Sequence, residues 1–351
     1  MEMEKDSQPD RQLSISVKSH KIITASLFEA YLKCPTKCFL RSGSETGQGN
    51  AYADCVIAQN ESYRNGGINR LMGECPNGDC VVGPLDNEHL KAANCKFAVG
   101  FVAHGQNLKS AIHVVEKIPS EGRGQATQLI PIRFIPTNKL TKDDKLLSAF
   151  DALILSEVLG QEIALCRIIH GDDYATLKIK NRALVSNVRK IIGRISALLP
   201  NSAPPDLILN RYCGECEFRN RCRQKAIERD DLSLISGISP KERLKLNKKG
   251  IFSVTQLSHT YRPRRRRRKT KAIDKHSHAL KALAIREKKI YVTETAKPQL
   301  GRVQVFFDVE GIPDRDLYYL IGAKWLMEPP SALFPFGPMT RLAKKKYGRN
   351  F

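Results

Sequence analysis

YCGECEFRNRC, residues 212–222, sets thiols at Cys213, Cys216 and Cys222 in a C-x2-C-x5-C spacing. Two cysteines with two residues between them aim both sulfurs at one centre, and the third returns after a loop of five. Thiols grouped in this way mark a metal site, and structural zinc and iron–sulfur clusters both usually take four protein ligands. The fourth has to come from elsewhere. LKCPTKC, residues 32–38, offers Cys34, with Cys38 one helical turn later as its competitor. From spacing alone, zinc and an iron–sulfur cluster stand as equal alternatives, beside the simpler reading of buried thiols.

The chain around these motifs is strongly basic. Its 351 residues carry 58 Lys and Arg against 36 Asp and Glu, a formal excess of 58 − 36 = +22. With 41% hydrophobic and 7% aromatic residues it can bury one or two ordinary cores, and its length favours at least two domains. Collagenous and wholly disordered classes are excluded. Ten cysteines in 351 residues fall well below a disulfide scaffold. No apolar run approaches a membrane span, and the opening MEMEKDSQPDRQ lacks the apolar core of a secretory signal, so a cytoplasmic protein is expected. The charge predicts a polyanionic partner, nucleic acid and in particular DNA, ahead of an anionic membrane surface, for which the chain offers no amphipathic anchor.

The pattern predicts an α/β protein. ITASLFEAYLKCPTKCFL, residues 23–40, reads as a helix capped by Thr24 or Ser26. Residues 41–90 mix helix with Gly- and Asn-rich loops. FAVGFVAH, SAIHVVEKI and QLIPIRFI, between residues 97 and 135, read as a small antiparallel sheet. A buried helix follows and stops on Gly160; two more strand-like stretches and a helix lead to Pro204-Pro205.

An early Y-x-x-C-P box, a long sheet domain and then C-x2-C-x5-C resemble the iron–sulfur subclass of RecB-like nucleases, which includes AddB and the CRISPR-adaptation nucleases. The resemblance implies a restriction-endonuclease-type domain over residues 22–228 behind a polar tail at 1–21. It implies that Cys34, Cys213, Cys216 and Cys222 hold a structural [4Fe-4S] cluster joining the two ends of that domain. Cys75 and Cys80 read as loop thiols, a second metal clip with Cys55 or Cys95 being the sharper alternative, and Cys166 reads as core.

Such nucleases belong to the PD-(D/E)xK superfamily, in which an Asp on one strand and Glu-x-Lys on the next hold a divalent cation and orient water. This chain departs from the pattern. His113 stands at the expected Asp, and Pro131, Ile132 and Arg133 stand where Glu-x-Lys is expected. Glu116, Lys117 and Lys139 read as surface residues. The resemblance therefore implies a kept scaffold with altered chemistry.

ISGISPKERLKLNKKGIFSVTQLS, inside residues 229–261, resembles a helix-hairpin-helix module. Gly237 and Gly250 let the backbone approach a phosphate, which a helix N-terminus then favours. RPRRRRRKTK, residues 262–271, follows with eight positive charges, Arg264, Arg265, Arg266, Arg267 and Arg268 among them, and opens a basic linker and helix over 262–290. These contacts bind backbone and read no sequence.

FFDVEG places Asp308 and Glu310 on one face of a strand. Paired acids at D-x-E resemble the opening of an RNase H-like, DnaQ-type exonuclease, whose metals, Mg²⁺ or Mn²⁺, hydrolyse phosphodiesters. With YYLIGA as the next strand, residues 291–325 read as the start of that domain. The whole order from about residue 22 to 324 resembles the YprB-type predicted RecB-family nucleases. After Trp325 come an irregular tail at 326–351 and no further Asp, so a truncated site is expected at Asp308 and Glu310.

Overall fold

The computed structural model describes residues 21–49, 51–75, 79–83, 85, 87–92, 95–119, 127–262, 277–292, 303–312 and 317–327. The chain is mixed α/β. A short strand, β1 (Ile23–Thr24), leads into α1 (Ala25–Lys33), where the Thr24 hydroxyl accepts the Leu27 N–H at 3.1 Å. The single helix expected over residues 23–40 is in fact two. Pro35 forces the residue before it out of the helical region, so Cys34 is extended at φ −166° and ψ 120°, and α2 (Pro35–Ser42) restarts with proline in its first turn.

Residues 41–90 hold a longer helix than their composition signals, α3 (Ala51–Gly73), followed by β2 (Cys80–Val82) and α4 (Asn87–Ala92). Gly66 and Gly67 lie inside α3. Their role is close approach: a Cβ on Gly67 would stand 2.4 Å from the Phe134 ring.

The strands β3 (Phe97–Val99), β4 (Val102–His104), β5 (Leu108–Ala111), β6 (Val114–Ile118) and β7 (Gln128–Ile135) do not form one antiparallel sheet. They make a ribbon that passes between two sheets, bent where the Gly100 N–H donates to the His113 carbonyl at 3.0 Å. With β8 (Leu165–His170) and β9 (Ala175–Lys180) the larger sheet has order β2-β3-β6-β7-β8-β9, in which β2–β3 and β7–β8 are parallel. The smaller has order β1-β5-β4, with β1 parallel to β5.

A parallel β7–β8 pair needs a crossover, and α5 (Lys142–Leu159) supplies it. Thr141 and Asp144 close a capping box at its start. Every residue from Leu146 to Leu155 is buried, so this helix is apolar on nearly all sides, as befits one packed between the sheets, α1 and α6 (Arg182–Leu198). Phe28 and Phe150 stack at 4.4 Å in the main core.

α7 (Arg219–Glu228) ends this unit, and α8 (Pro240–Asn247), α9 (Val254–Ser258) and α10 (His278–Glu287) form the next around Leu232, Ile235, Val254, Leu257 and Ala282. α10 is therefore packed into the hairpin module, where the sequence placed it in a linker. β10 (Val303–Ile312) and β11 (Leu317–Met327) pair antiparallel. Among the described residues no helix is long and apolar enough to cross a membrane.

Gly67→Ala lowers the urea midpoint by the equivalent of about 1–3 kcal/mol, because overpacking against Phe134 outweighs the gain in helix propensity. Gly193→Ala, on an α6 position with nothing within 4 Å of the new methyl, raises it by about 0.5–1 kcal/mol. Equal shifts in the two variants would contradict the packing account.

Candidate functional site

The helix break at Pro35 turns Cys34 toward a cavity at the end of the main unit. Its wall is made of Cys34, Cys213, Cys216 and Cys222 with Leu207, Leu209 and Phe218, and the space between them is small, about 20 Å³. Residues separated by about 180 positions thus meet at one place. Cys38, the competitor, is fully buried in the main core, where burial pushes its thiol up to about 12. As they stand, no three His, Cys, Asp or Glu side chains among the described residues form a group that could hold a metal ion.

The chemistry of the wall nonetheless fits thiolate ligation. The Asn210 N–H donates to Cys213 Sγ at 3.3 Å, and Asn210 also caps the 3-10 turn at Arg211–Glu215. Burial raises Cys213 and Cys216, and backbone N–H groups of Asn210 and Phe218 partly offset it. Burial, then the neighbouring thiols, push Cys222 up to about 11. Protonated thiols must lose protons to ligate, so metal affinity at this wall rises with pH. Lys33, Lys37 and Arg219 line the same cavity and favour the anionic form.

Glu217, inside the cysteine motif, fastens the motif to α2. Lys37 Nζ lies 2.9 Å from Glu217 Oε2, and Arg41 Nε lies 2.6 Å from Glu217 Oε1. Burial pushes the Glu217 carboxyl up, but these hydrogen bonds outweigh it and hold the group at about 2. Arg221 pairs with Glu45, Asn210 Nδ2 reaches the Lys33 carbonyl at 3.2 Å, and Leu40, Cys216 and Phe218 form a small apolar cluster beneath. Gly47 is pressed against Glu217 so closely that a Cβ would stand 2.5 Å from the Glu217 Cβ.

At the expected nuclease centre the sheet holds an internal ion pair. Arg133 donates from Nε at 2.8 Å and from Nη2 at 2.7 Å to the two oxygens of Asp151, and the Ser110 hydroxyl donates to Asp151 at 2.6 Å. Asp151 is 2% exposed; burial raises its carboxyl, and Arg133 and Ser110 pull against that. His113 Nδ1 accepts the Phe134 N–H at 3.1 Å. Burial, then Arg133 and Arg64, hold His113 well below its ordinary value, so it is neutral at neutral pH. Glu116 and Lys117 are not the surface residues their sequence implies: Glu116 is buried 2.8 Å from Arg167 Nη2, and Lys117 Nζ donates to the Leu90 carbonyl. Lys139 is exposed.

Of the remaining cysteines, Cys75 and Cys80 pack beside one another on the smaller core, Cys55 is exposed on α3, and Cys95 is buried. Cys166 is core, its thiol 3.0 Å from Asn181 Oδ1.

In the hairpin module Gly237 and Gly250 have φ +88° and +76°, the left-handed region that a side chain disfavours. They differ in what they can offer. The N–H groups of Lys249, Gly250, Ile251, Phe252 and Ser253 are all bonded within the module. Among the described residues those of Ser236 and Gly237 have no acceptor, and Lys281 Nζ stands at the Ser236 carbonyl, 2.8 Å away. The Gly237 loop therefore keeps two N–H groups open ahead of α8, whose own N-terminus is closed by the Ser239–Glu242 capping box. Arg264 to Arg268 lie outside the described residues.

Asp308 and Glu310 are exposed on β10, opposite Gly322 and Leu320 of β11, with an irregularity after Glu310. Among the described residues no third ligand joins them. No protein-family model and no curated protein matches the chain.

Sequence reasoning passed over Glu217 and Asp151. Glu217 sat in plain view inside the cysteine loop, and an acid buried in the apolar run of α5 was itself a signal that a cation had to face it.

Arg133→Met leaves Asp151 buried without a counter-ion and costs about 3–5 kcal/mol in chemical denaturation, whereas Arg133→Met with Asp151→Leu recovers most of that loss. The Glu217 clasp is present above the unfolded carboxylate value near 4.5 and is lost as pH falls toward about 2. Stability falls across that window by on the order of 2–3 kcal/mol, and Glu217→Gln removes this part of the acid dependence. An unchanged pH profile in Glu217→Gln would refute the clasp.

Proposed function

We propose that this chain is a RecB-like, nuclease-derived protein that binds nucleic acid, DNA in particular, and whose restriction-endonuclease-type domain has exchanged cutting for structure. One observation carries the reading: where the resemblance places Glu-x-Lys, Arg133 is bound by both of its hydrogen-bonding arms to the buried Asp151. A guanidinium at that place neutralises the local carboxylate, the task a divalent cation has in a cutting enzyme, and it cannot activate water as a metal does. The helix and parallel strand around it, α5 and β8, support a retained scaffold.

Cys34, Cys213, Cys216 and Cys222 are the residues proposed to hold the [4Fe-4S] cluster. When bound, it supplies a covalent link between Cys34, at the junction of α1 and α2, and the three cysteines of the loop at 211–222. The apolar wall and the N–H donors aimed at sulfur support this over bare thiols. Zinc on the same four thiols is the second reading. The Gly237 loop and Arg264 to Arg268 are proposed as phosphate contacts. Asp308 and Glu310, exposed on a hairpin, are proposed as remnants of an RNase H-like metal pair for Mg²⁺ or Mn²⁺.

Purified without oxygen, the chain is expected to be brown with about four iron and four sulfide per polypeptide, and Cys213→Ser to lose the colour. A colourless protein with one zinc selects the second reading. Duplex and single-stranded DNA with Mg²⁺ or Mn²⁺ should be bound and left intact. Metal-dependent cutting that survives Asp308→Ala overturns the non-cutting assignment of the first domain, and cutting that disappears in Asp308→Ala overturns the reading of Asp308 and Glu310 as remnants.

A further inference from the structure

The exposed side of α6 carries charge that the thiol wall and the hairpin do not use. RALVSNVRKIIGRISAL holds Arg182, Arg189, Lys190 and Arg194 and no acidic residue. At 100° per residue, Arg182, Ser186, Arg189 and Gly193 fall on one stripe, with Lys190 beside it and Arg194 about 110° further round the helix. Val188, Ile195 and Leu198 are buried on the opposite side, where α6 meets the main core. Arg182, Val185, Ser186, Arg189 and Lys190, with Glu162 across from them, line a groove of about 650 Å³.

Two physical points bear on this face. Acids answer the cations of α1 and α2, where Glu29 faces Lys33 and Glu217 holds both Lys37 and Arg41, whereas α6 has no acid at all, and α7 is the other strongly basic helix, with Arg219, Arg221, Arg223 and Lys225 against Glu228. Among the described residues none of the four α6 cations has a carboxylate within 4 Å. Lys190 and Arg194 are moreover like charges four apart, an arrangement that weakens a helix unless an anion lies over it.

We infer that the Arg182–Ser186–Arg189–Lys190 groove of α6 is a second nucleic-acid contact, taking the phosphate backbone of a strand along the helix axis. From Arg182 to Lys190 the helix advances about 12 Å, enough for its cations to meet about two or three successive phosphates of one strand. Arginine suits the task because its planar fork can grip two phosphate oxygens. No aromatic residue lies on this stripe to anchor it in a lipid interface. Glu162, the one acid on the groove wall, opposes such a ligand. The inference rests on the nucleic-acid reading above and adds a surface apart from the hairpin.

The test uses the full chain, purified anaerobically, with a fluorescent 30-base-pair duplex titrated between 50 and 200 mM salt. Arg182→Ala/Arg189→Ala/Lys190→Ala is expected to keep its melting temperature and to lower the slope of log K against log salt by about 2–3, since each phosphate left without its cation accounts for about 0.9. Arg182→Lys/Arg189→Lys retains the slope, and Glu162→Gln tightens binding. A triple variant with wild-type affinity and slope overturns the α6 contact and leaves the nucleic-acid reading standing. A wild-type chain that binds neither this duplex nor the matching RNA at 50 mM overturns both. Binding to anionic phospholipid vesicles that depends on these three residues, without binding to the duplex, overturns the contact in favour of a membrane surface.

Discussion

A carboxylate held between Lys37 and Arg41 is the central tie between the two ends of the main unit, and the candidate metal centre lies beside it. Glu217 belongs to the cysteine loop, while its partners belong to α2, 176 residues earlier in the case of Arg41. The apolar contact of Leu40 with Cys216 and Phe218 follows from that attachment, as does the tight seat of Gly47. The enclosing wall is built by the same act, since Cys34 lies one residue before α2 and Cys213 and Cys216 lie within four residues of Glu217. Ion pairs on open surfaces contribute little, but this one is half-buried and two-sided, the setting in which such pairs hold geometry.

The sheet and the thiol wall tell different stories about one scaffold. In the sheet, a place suited to acids and a metal has an arginine already matched to its aspartate by two hydrogen bonds. A buried pair of this kind contributes little net stability, because desolvation offsets attraction, yet it is costly to break from one side. It is a device for fixing a local structure. The thiol wall has a different character: four cysteines line one space together with apolar side chains, and Asn210 donates its N–H to one of the sulfurs.

How much of this was legible beforehand depended on whether the signal was local. α5 declared itself through its apolar run and Gly160. The cysteine spacing marked three residues that do share one wall. The break at Cys34 was also written locally, in the proline after it, although the apolar pattern on either side spoke for one helix. α3 was hidden because Gly66 and Gly67 look like a turn; only the Phe134 ring, from a strand some seventy residues later, explains why small residues stand in a helix there. The parallel pairing of β7 with β8 was open to inference from the crossover helix, whereas the passage of the ribbon into a second sheet depends on a bend at Gly100 and His113 that no periodicity encodes. The docking of α10 on the hairpin rests on Ala279 and Ala282, residues too small to advertise a core.

The extended residue ahead of Pro35 also bears on the order in which the molecule comes together. Closing a loop of nearly two hundred residues costs about 4–5 kcal/mol of chain entropy if the intervening segment is unstructured, and almost nothing once that segment is folded with its ends already adjacent. Prior formation of the sheets and α5 removes most of that cost, and within the main unit the loop at 211–222 also follows them in the direction of synthesis. The state of the thiol wall is then a record of whether the preceding domain has folded.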